Sequence, residues 1–429
     1  MSKKRVLSLF LLSFIVIYGC ATEEAFVPKG SLAVDDSEPV TEEVQEIEEE
    51  KTRVIEKEAE EPAEEVQQDA AEIQKKDFGP VWNQRIEAAL ASSDCPQVAK
   101  PQYPSSYYQG PLIDTHLHIP AIPDWSPEDD EEAANGETPE GRFGGPQALL
   151  GWNVKMSEIA CTLEREGTTK NFAFFPVYEE IPEQLLEIAY RTMKQYPEQF
   201  TPFIMSSGND NEPDGYPTID VAILAKMLEV YPDLFQGYGE IGLYERENGA
   251  KALPPDSKRL QEIYPLIKKH KLLAYFHPGE GQLNNFKNVL RQHPDIIFIV
   301  HGDEIEQDIS DLMDKYPNIY YTNDPSYSQH FPLFVGKSKE KFLSSVEKDF
   351  DSLIAKEIKR WKKMIEAHPD RFMWGTDRGD AVWNYDQDVG LFLVKYARAF
   401  IGKLDPKVQE KFAYKNAERL INMSGESAN

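Results

Sequence analysis

Cysteine is scarce in this sequence, which has only three among its 429 residues. Cys20 ends an N-terminal apolar segment, Cys95 lies in a loop-like Ser-Ser-Asp-Cys-Pro stretch, and Cys161 lies in a helix-like segment. Because the settings of Cys95 and Cys161 differ so much, they do not make the disulfide framework of a small secreted domain. We expect both to be unpaired, although an exported compartment would permit a bond.

Positive charge is also in the minority. The chain has 46 Lys and Arg residues against 74 Asp and Glu residues, which gives a formal net charge of −28. Binding to nucleic-acid phosphates requires lysine and arginine. We therefore expect no nucleic-acid partner.

Half of the excess negative charge lies in residues 21–77, which hold 20 acidic and 6 basic residues and almost no aromatic ones. Such a composition cannot bury enough apolar surface to offset the entropy of ordering the chain. We interpret residues 20–77 as an acidic, disordered tether. A helical charged stalk is the alternative, because Val44, Ile47, Val54 and Ile55 show some helical spacing.

The N-terminus has the pattern of an export signal. Three basic residues at positions 3–5 precede an apolar run at 6–18 that is too short to span a membrane comfortably. Positions 17–20 read Ile-Tyr-Gly-Cys, which resembles the lipobox of bacterial lipoproteins, although Tyr18 is bulkier than usual. The resemblance implies that residues 1–19 are a signal peptide, that Cys20 is lipidated, and that the protein is anchored to a membrane of the bacterial cell envelope. A plain secretory signal is the alternative.

From residue 78 onward the composition is globular, and apolar strands alternate with amphipathic helices. Eight such strand–helix pairs predict an α/β fold of the (β/α)8 TIM-barrel type over residues 78–425. An open doubly wound sheet is the alternative, but the sequence lacks the Gly-x-Gly-x-x-Gly turn. The predicted strands are 112–119, 171–177, 201–205, 236–243, 272–277, 296–301, 319–323 and 372–377.

Ionisable residues follow the apolar part of several predicted strands. The segment Asp-Thr-His-Leu-His at 114–118 places His116 and His118 on one face of strand one, because side chains alternate along a strand. Burying such groups is costly unless something pairs them, and a divalent cation does so. Because strand ends meet at one rim of a barrel, four imidazoles and two carboxylates converge there. The four residues at the other strand ends are Glu240, His277, His301 and Asp377.

This set resembles the amidohydrolase superfamily over about residues 108–423. The order matches: His-x-His on strand one, histidines on strands five and six, and aspartate on strand eight. The segment at 414–420 resembles the C-terminal helix of the amidohydrolase 2 family. The resemblance implies that His116, His118 and Asp377 hold a first metal ion and that Asp377 accepts a proton from the attacking water. It implies that His277 is a ligand and that His301 either binds a second ion or polarises the substrate carbonyl.

Glu240 stands where many two-metal members of this superfamily have a carbamylated lysine. Its segment, Gly-Glu-Ile-Gly-Leu at 239–243, is similar to strand four of TatD-like hydrolases, in which the glutamate binds metal. Glu240 is therefore expected to bridge two ions. A site with one ion, in which Glu240 supports the ligands from outside, remains the alternative. Zinc is the favoured cofactor, with manganese or iron as alternatives.

These features predict a membrane-tethered, metal-dependent hydrolase that uses metal-activated water on an amide, ester or lactone bond of a small molecule. Three alternatives remain open at this point. They are a TatD-like phosphodiesterase or nuclease, a zinc-dependent decarboxylase, and a surface-binding lipoprotein without catalytic activity.

The other histidines are expected to have no role at the metal site. His270, His293 and His368 end predicted helices at the opposite end of the barrel, where cations satisfy the last carbonyls and the helix dipole. His330 is interpreted as a surface residue of the insertion 324–337. That insertion and the one at 120–146 leave carboxyl ends of strands, so we expect them to form lids or substrate walls. Asp377 has an alternative role as an ion-pair partner of Arg378.

Overall fold

The computed structural model describes residues 76–95, 101–123, 139, 145–247, 249–324 and 337–425. The expected signal peptide, Cys20, most of the expected tether, most of both insertions and His330 lie outside these residues. Everything below concerns the compact unit that begins at Lys75. Within the described part of the chain, no helix combines the length and the apolar character needed to cross a membrane.

Eight parallel strands form one sheet in sequence order, which confirms the predicted (β/α)8 barrel. The barrel closes between its first and last strands, where Leu117 pairs with Arg378 and the N–H of His118 donates to the carbonyl of Arg378 at 3.0 Å. The strands are β1 Leu112–His118, β2 Thr168–Pro176, β3 Phe200–Met205, β4 Gly237–Gly242, β5 Leu273–His277, β6 Phe298–Val300, β7 Ile319–Asn323 and β8 Phe372–Trp374.

Helices follow the strands and cover the outside of the barrel. The helical segments 303–315 and 339–367 are each divided in two, at residues 307–308 and at Asp349, where the chain turns. A short 3₁₀ segment, Val382–Tyr385, follows β8, and a π-helical turn, Lys411–Lys415, precedes the last helix. The helices are α1 Pro80–Ala89, α2 Met156–Glu166, α3 Pro182–Gln195, α4 Val221–Val230, α5 Lys258–Lys269, α6 Leu283–Gln292, α7 Asp303–Glu306, α8 Ile309–Lys315, α9 Lys339–Lys348, α10 Phe350–Ala367, α11 Gln387–Ile401, α12 Pro406–Glu410 and α13 Asn416–Gly425.

The strands are mostly apolar because both of their faces are buried. In β2, Phe172 and Phe174 point into the barrel, whereas Phe175 packs towards the helices. Phe172 stacks on Phe203 inside the barrel with ring centroids 5.1 Å apart. Each fully buried phenylalanine contributes roughly 2 kcal/mol of hydrophobic free energy. This inner layer is the floor on which the polar groups of the rim rest.

The expectation that Cys95 and Cys161 are unpaired is wrong, because they form a disulfide with Cα atoms 5.7 Å apart. The chain after α1 returns to α2, where the hydroxyl of Ser157 donates to the carbonyl of Ala91 at 2.7 Å. This tertiary contact brings a loop cysteine to a helix cysteine 66 residues away, and their local sequences did not indicate it. Closing a loop of that length stabilises a fold by about 4 kcal/mol in the chain-entropy description.

Candidate metal centre

A buried aspartate fixes the positions of the first two histidines. Oδ1 of Asp114 accepts hydrogen bonds from the backbone N–H groups of His116 and Thr376, both at 3.0 Å, and Oδ2 accepts one from the Thr376 hydroxyl at 2.6 Å. Burial raises the pKa of Asp114 to about 6, against the opposing effect of these hydrogen bonds. Asp114 thus fastens the end of β1 to the segment after β8 that carries Asp377.

Four side chains from β1, β4 and the end of β8 meet around one point. Nε2 of His116 lies 3.2 Å from Nε2 of His118, and each of these nitrogens lies 3.0 Å from Oε2 of Glu240. Oδ1 of Asp377 lies 3.2 and 3.3 Å from the same two nitrogens. The edges of a tetrahedral zinc site with bonds near 2.0 Å are about 3.3 Å long. The spacing of the four atoms therefore fits a single divalent ion.

The second oxygen of Glu240 faces a different pair of imidazoles. Oε1 lies 2.6 Å from Nε2 of His301 and 3.4 Å from Nδ1 of His277. The pairing of β4 with β5 is irregular between Tyr238 and Ile241, and irregularities of this kind commonly redirect a side chain beside a functional site. One carboxylate thus contacts both groups of histidines, and all six residues expected at the rim come together.

Two further carboxylates contact the second ring nitrogen of three of these histidines, and neither was predicted from the sequence. Oδ2 of Asp324 lies 3.3 Å from Nδ1 of His116 and 3.5 Å from Nδ1 of His301. Oε2 of Glu304, in α7, lies 3.2 Å from Nε2 of His277. Carboxylates in such positions fix the orientation and tautomer of ligating imidazoles. Asp324 directly follows β7, so the strand-end rule would have found it, whereas Glu304 lies in a helix and gave no signal.

The charges of the cluster call for a cation. Burial lowers the pKa values of His116 and His118, but the carboxylates of Asp377 and Glu240 outweigh burial and raise each pKa to about 10. Burial likewise opposes protonation of His301, yet Glu240 raises its pKa to about 9. Burial raises the pKa of Glu240, but the imidazoles outweigh it and hold the pKa well below its usual range. The carboxylates keep protons on the imidazoles, and a divalent ion takes the place of those protons when it binds.

Asp377 does not pair with its neighbour Arg378, so the alternative role considered for it is wrong. The Arg378 side chain is buried and donates to both carboxylate oxygens of Glu166, at 3.0 and 2.9 Å. Asp377 is left to face the histidines, with 23% of its side chain exposed and a left-handed backbone at φ 49°. The glycine two residues earlier is required, because a Cβ at Gly375 would lie 2.6 Å from Oδ1 of Asp324.

A cavity of about 740 Å³ opens above these groups at the carboxyl ends of the strands. His118, Glu240, His277, His301 and Asp377 line its base. Cavities of this volume hold small molecules. The described part of its wall also includes Ile119, Pro120, Ala148, Pro176, Met205, Tyr178, Tyr244 and Tyr385.

Sequence comparison identifies one family. The family model described as amidohydrolase (Amidohydro_2) matches residues 222–423. This range includes Glu240, His277, His301 and Asp377, whereas the two histidines of β1 precede it. A search of curated proteins finds no match.

Solved structures with a related architecture are distant in sequence. An uncharacterised TIM-barrel protein from Bordetella bronchiseptica is 15% identical, with 73% of this chain and 99% of that chain covered and a TM-score of 0.45. An amidohydrolase from Burkholderia multivorans with bound zinc is 10% identical, with 73% of this chain and 99% of that chain covered and a TM-score of 0.42. The 2,6-dihydroxybenzoate decarboxylase from Rhizobium is 12% identical, with 74% of this chain and 100% of that chain covered and a TM-score of 0.38. The zinc and the decarboxylation belong to those proteins, and neither is transferred from them to this chain.

Proposed function

This chain belongs to the amidohydrolase 2 family of the amidohydrolase superfamily, and on that premise we propose that it is a metal-dependent hydrolase that cleaves an amide, ester or lactone bond of a small molecule. One observation carries the proposal. The two oxygens of Glu240 face two separate groups of imidazoles, and Asp377 stands beside one group at the base of an open cavity.

The residues fit two divalent ions, with a single ion as the alternative. His116, His118, Asp377 and Oε2 of Glu240 would hold the first, and Oε1 of Glu240 with two further histidines would hold the second. Nitrogen and carboxylate donors of this kind suit zinc, with manganese or iron as alternatives. Such an ion, when bound, activates a water molecule near neutral pH and stabilises negative charge on the reacting oxygen.

Asp377 is the residue placed to move the proton. Its carboxylate is 23% exposed and lines the cavity, whereas the carboxylate of Glu240 is 9% exposed and is engaged at both oxygens. Asp377 accepts a proton from the water that adds to the carbonyl carbon. It then returns the proton to the leaving nitrogen or oxygen as the carbonyl–heteroatom bond breaks.

His301 has one of two roles, which the number of ions decides. With two ions, its Nε2 would be a ligand beside Oε1 of Glu240. With one ion, the same imidazole donates a hydrogen bond to the carbonyl oxygen of the substrate and polarises it. Asp324, 3.5 Å from the other ring nitrogen, orients the ring in either case.

We further propose that the protein is exported and held at a membrane of the bacterial cell envelope by lipid on Cys20. The N-terminal pattern described above supports both the export and the anchor. The disulfide between Cys95 and Cys161 supports the export alone, because disulfides persist in oxidising compartments. Cys20→Ser should move the protein from the membrane fraction to the soluble exported fraction. A variant that still sediments with membranes contradicts the lipid anchor.

The hydrolase proposal is tested with purified full-length protein reconstituted with zinc, manganese or iron. Panels of esters, amides and lactones are assayed with and without a chelator, and metal content is measured on the same samples. We expect chelator-sensitive hydrolysis of at least one bond type. Metal binding without turnover of any panel supports the non-catalytic alternative. Carbon dioxide release from aromatic acids supports the decarboxylase instead.

A further inference from the structure

The barrel closes between β1 and β8, and two residues of the metal centre stand on opposite sides of that seam. His118 ends β1 and Asp377 follows β8, with Nε2 of His118 lying 3.3 Å from Oδ1 of Asp377. The backbone of Arg378 joins the two sides, because it pairs with Leu117 and its carbonyl accepts the N–H of His118 at 3.0 Å. A displacement of Arg378 would therefore move both residues of the centre.

The side chain of Arg378 is fixed at its far end by Glu166, the last residue of α2. The two N–H···O distances are 3.0 and 2.9 Å, and the two side chains are 2% and 0% exposed. A two-point contact between a guanidinium and a carboxylate fixes orientation as well as distance. The helix dipole and burial both disfavour a carboxylate at the C-terminus of a helix. Glu166 therefore depends on Arg378 as much as Arg378 depends on Glu166.

Helix α11 approaches this pair closely at a glycine. Gly390 lies inside α11, where glycine is a poor helix former. A Cβ at Gly390 would lie 2.8 Å from Nη2 of Arg378 and closer still to Oε1 of Glu166. The glycine is therefore required by the contact, and the backbone of α11 leaves the two side chains little room to shift.

The backbone at Asp377 needs support of this kind. Its φ of 49° is left-handed, a conformation that a residue other than glycine keeps only where its surroundings hold it. Both neighbours of Asp377 are anchored by buried side chains. Thr376 is hydrogen-bonded to Asp114, and Arg378 is bound to Glu166. These two anchors together set the direction in which the Asp377 carboxylate points.

We propose that the buried Arg378–Glu166 ion pair positions Asp377 and His118 at the metal centre, acting through the backbone of residues 377 and 378. Both members are positioning residues, and neither is a ligand or a proton acceptor. The effect on turnover rests on the hydrolase proposed above, whereas the effect on metal binding does not. The pair should control how fast bound substrate reacts and how tightly the first ion is held, with little effect on substrate affinity.

The test replaces the pair with apolar side chains of similar size, in the variant Glu166→Leu with Arg378→Met. Changing both residues avoids leaving one buried charge without its partner, which would by itself destabilise the fold. We expect kcat to fall by about 10- to 100-fold, because a small misplacement of a reacting group has an effect of that size. KM should change little. Affinity for zinc, measured by competition with a chelator, should fall by about tenfold.

Arg398→Met is the matched control, because it removes a buried arginine at the other end of β1. Arg398 is 6% exposed and donates to the carbonyls of Tyr108 and Gly110, just before β1 begins. This variant should melt at a lower temperature while kcat, KM and zinc affinity stay at their parental values. Losses of kcat and zinc affinity as large as those of the double variant would show a general loosening of the fold and overturn the proposal.

Arg378→Lys decides the question if the double variant does not fold. Lysine keeps the buried positive charge but cannot make the two-point contact with Glu166. We expect this variant to fold, with kcat and zinc affinity lowered by about three- to tenfold and KM little changed. Parental kcat and zinc affinity in Arg378→Lys would then overturn the proposal.

A spectroscopic measurement separates this proposal from the hydrolase proposal. Cobalt is loaded in place of zinc, because the visible absorption of cobalt depends on the number and geometry of its ligands. The cobalt spectrum should change in the double variant and stay parental in Arg398→Met. If the parent protein hydrolyses nothing but the spectra differ in this way, the positioning of the metal centre stands and the hydrolase proposal fails. Identical cobalt spectra of the parent protein and the double variant overturn the positioning proposal.

Discussion

Histidines occur at both ends of this barrel, and their surroundings differ in kind. At the carboxyl end, four imidazoles meet carboxylates that come from other strands. At the amino end, His270, His293 and His368 each stand at the C-cap of a helix, namely α5, α6 and α10. Burial lowers the pKa values of His270 and His293, and no carboxylate outweighs it. The role of a histidine here is set by the acids that the fold brings to it.

The positions predicted for the amino-end histidines are confirmed, but the physical reason is different. The backbone N–H of His270 donates to the carbonyl of Leu266 at 3.0 Å, and the N–H of His293 donates to that of Val289 at 2.9 Å. The cap is therefore made by the backbone and not by a cationic ring. The ring of His293 instead lies 3.1 Å from Oε1 of Gln261.

The largest effect should come from removing two imidazoles at the carboxyl end of the barrel, whereas removing two at the amino end should change activity little. His116→Ala with His118→Ala should abolish metal binding at the first site and reduce activity by about 10³-fold or more. It should also remove the stabilisation that metal gives by binding only the folded state. Metal analysis, turnover and thermal melting measure the three effects.

The matched control is His270→Ala with His293→Ala. This pair should keep full metal content and activity, with a loss of stability of about 1 kcal/mol. The contrast between the two ends fails if the carboxyl-end pair retains its metal or if the amino-end pair loses it.

Asp377→Asn should separate proton transfer from metal binding within the carboxyl end. The amide keeps the shape of the side chain and one ligand oxygen but cannot accept the proton. We expect kcat to fall by about 10²- to 10⁴-fold while metal content changes little. Added metal should not restore the rate. A variant that excess metal rescues would show that Asp377 serves only as a ligand.

Asp324→Asn should test the support behind the imidazoles. The change removes the negative charge beside His116 and His301 and leaves every expected ligand in place. Losses of 10- to 100-fold in metal affinity are typical for such partners, and we expect about that. A competition titration against a chelator of known affinity measures it. Affinity equal to that of the parent protein would mean that Asp324 does not orient the rings.

The smallest effect concerns the pH dependence of the metal-free protein. The raised folded-state pKa values of His116, His118 and His301 give stability that is fully present below pH 6.5 and is lost as the pH rises through 9–10. The melting temperature of metal-free protein should therefore fall progressively as the pH is raised from 7 to 10. The same curve measured on the variant lacking His116 and His118 should be flatter. Parallel curves would show that His116 and His118 do not cause the dependence of stability on pH.

The sequence was sufficient for the barrel and for the six rim residues, because both follow from a simple rule. Eight apolar strands require burial on two faces, and polar groups directly after them, such as Asp377, must meet at one rim. The same rule, if applied to β7, would have included Asp324. This rule could not predict the contact of Glu304 with His277 or the disulfide, because both depend on how helices and loops pack against the barrel.

Glu240 carries the central claim, that one carboxylate joins two metal ions at the carboxyl end of the barrel. Anomalous diffraction at the absorption edge of the metal, from crystals of reconstituted protein, tests it most directly. We predict two ions, one among His116, His118 and Asp377 and one beside His277 and His301, with Glu240 bound to both. Glu240→Gln should then lower the count from two towards one. A single ion in the parent protein, unchanged by Glu240→Gln, would contradict the claim.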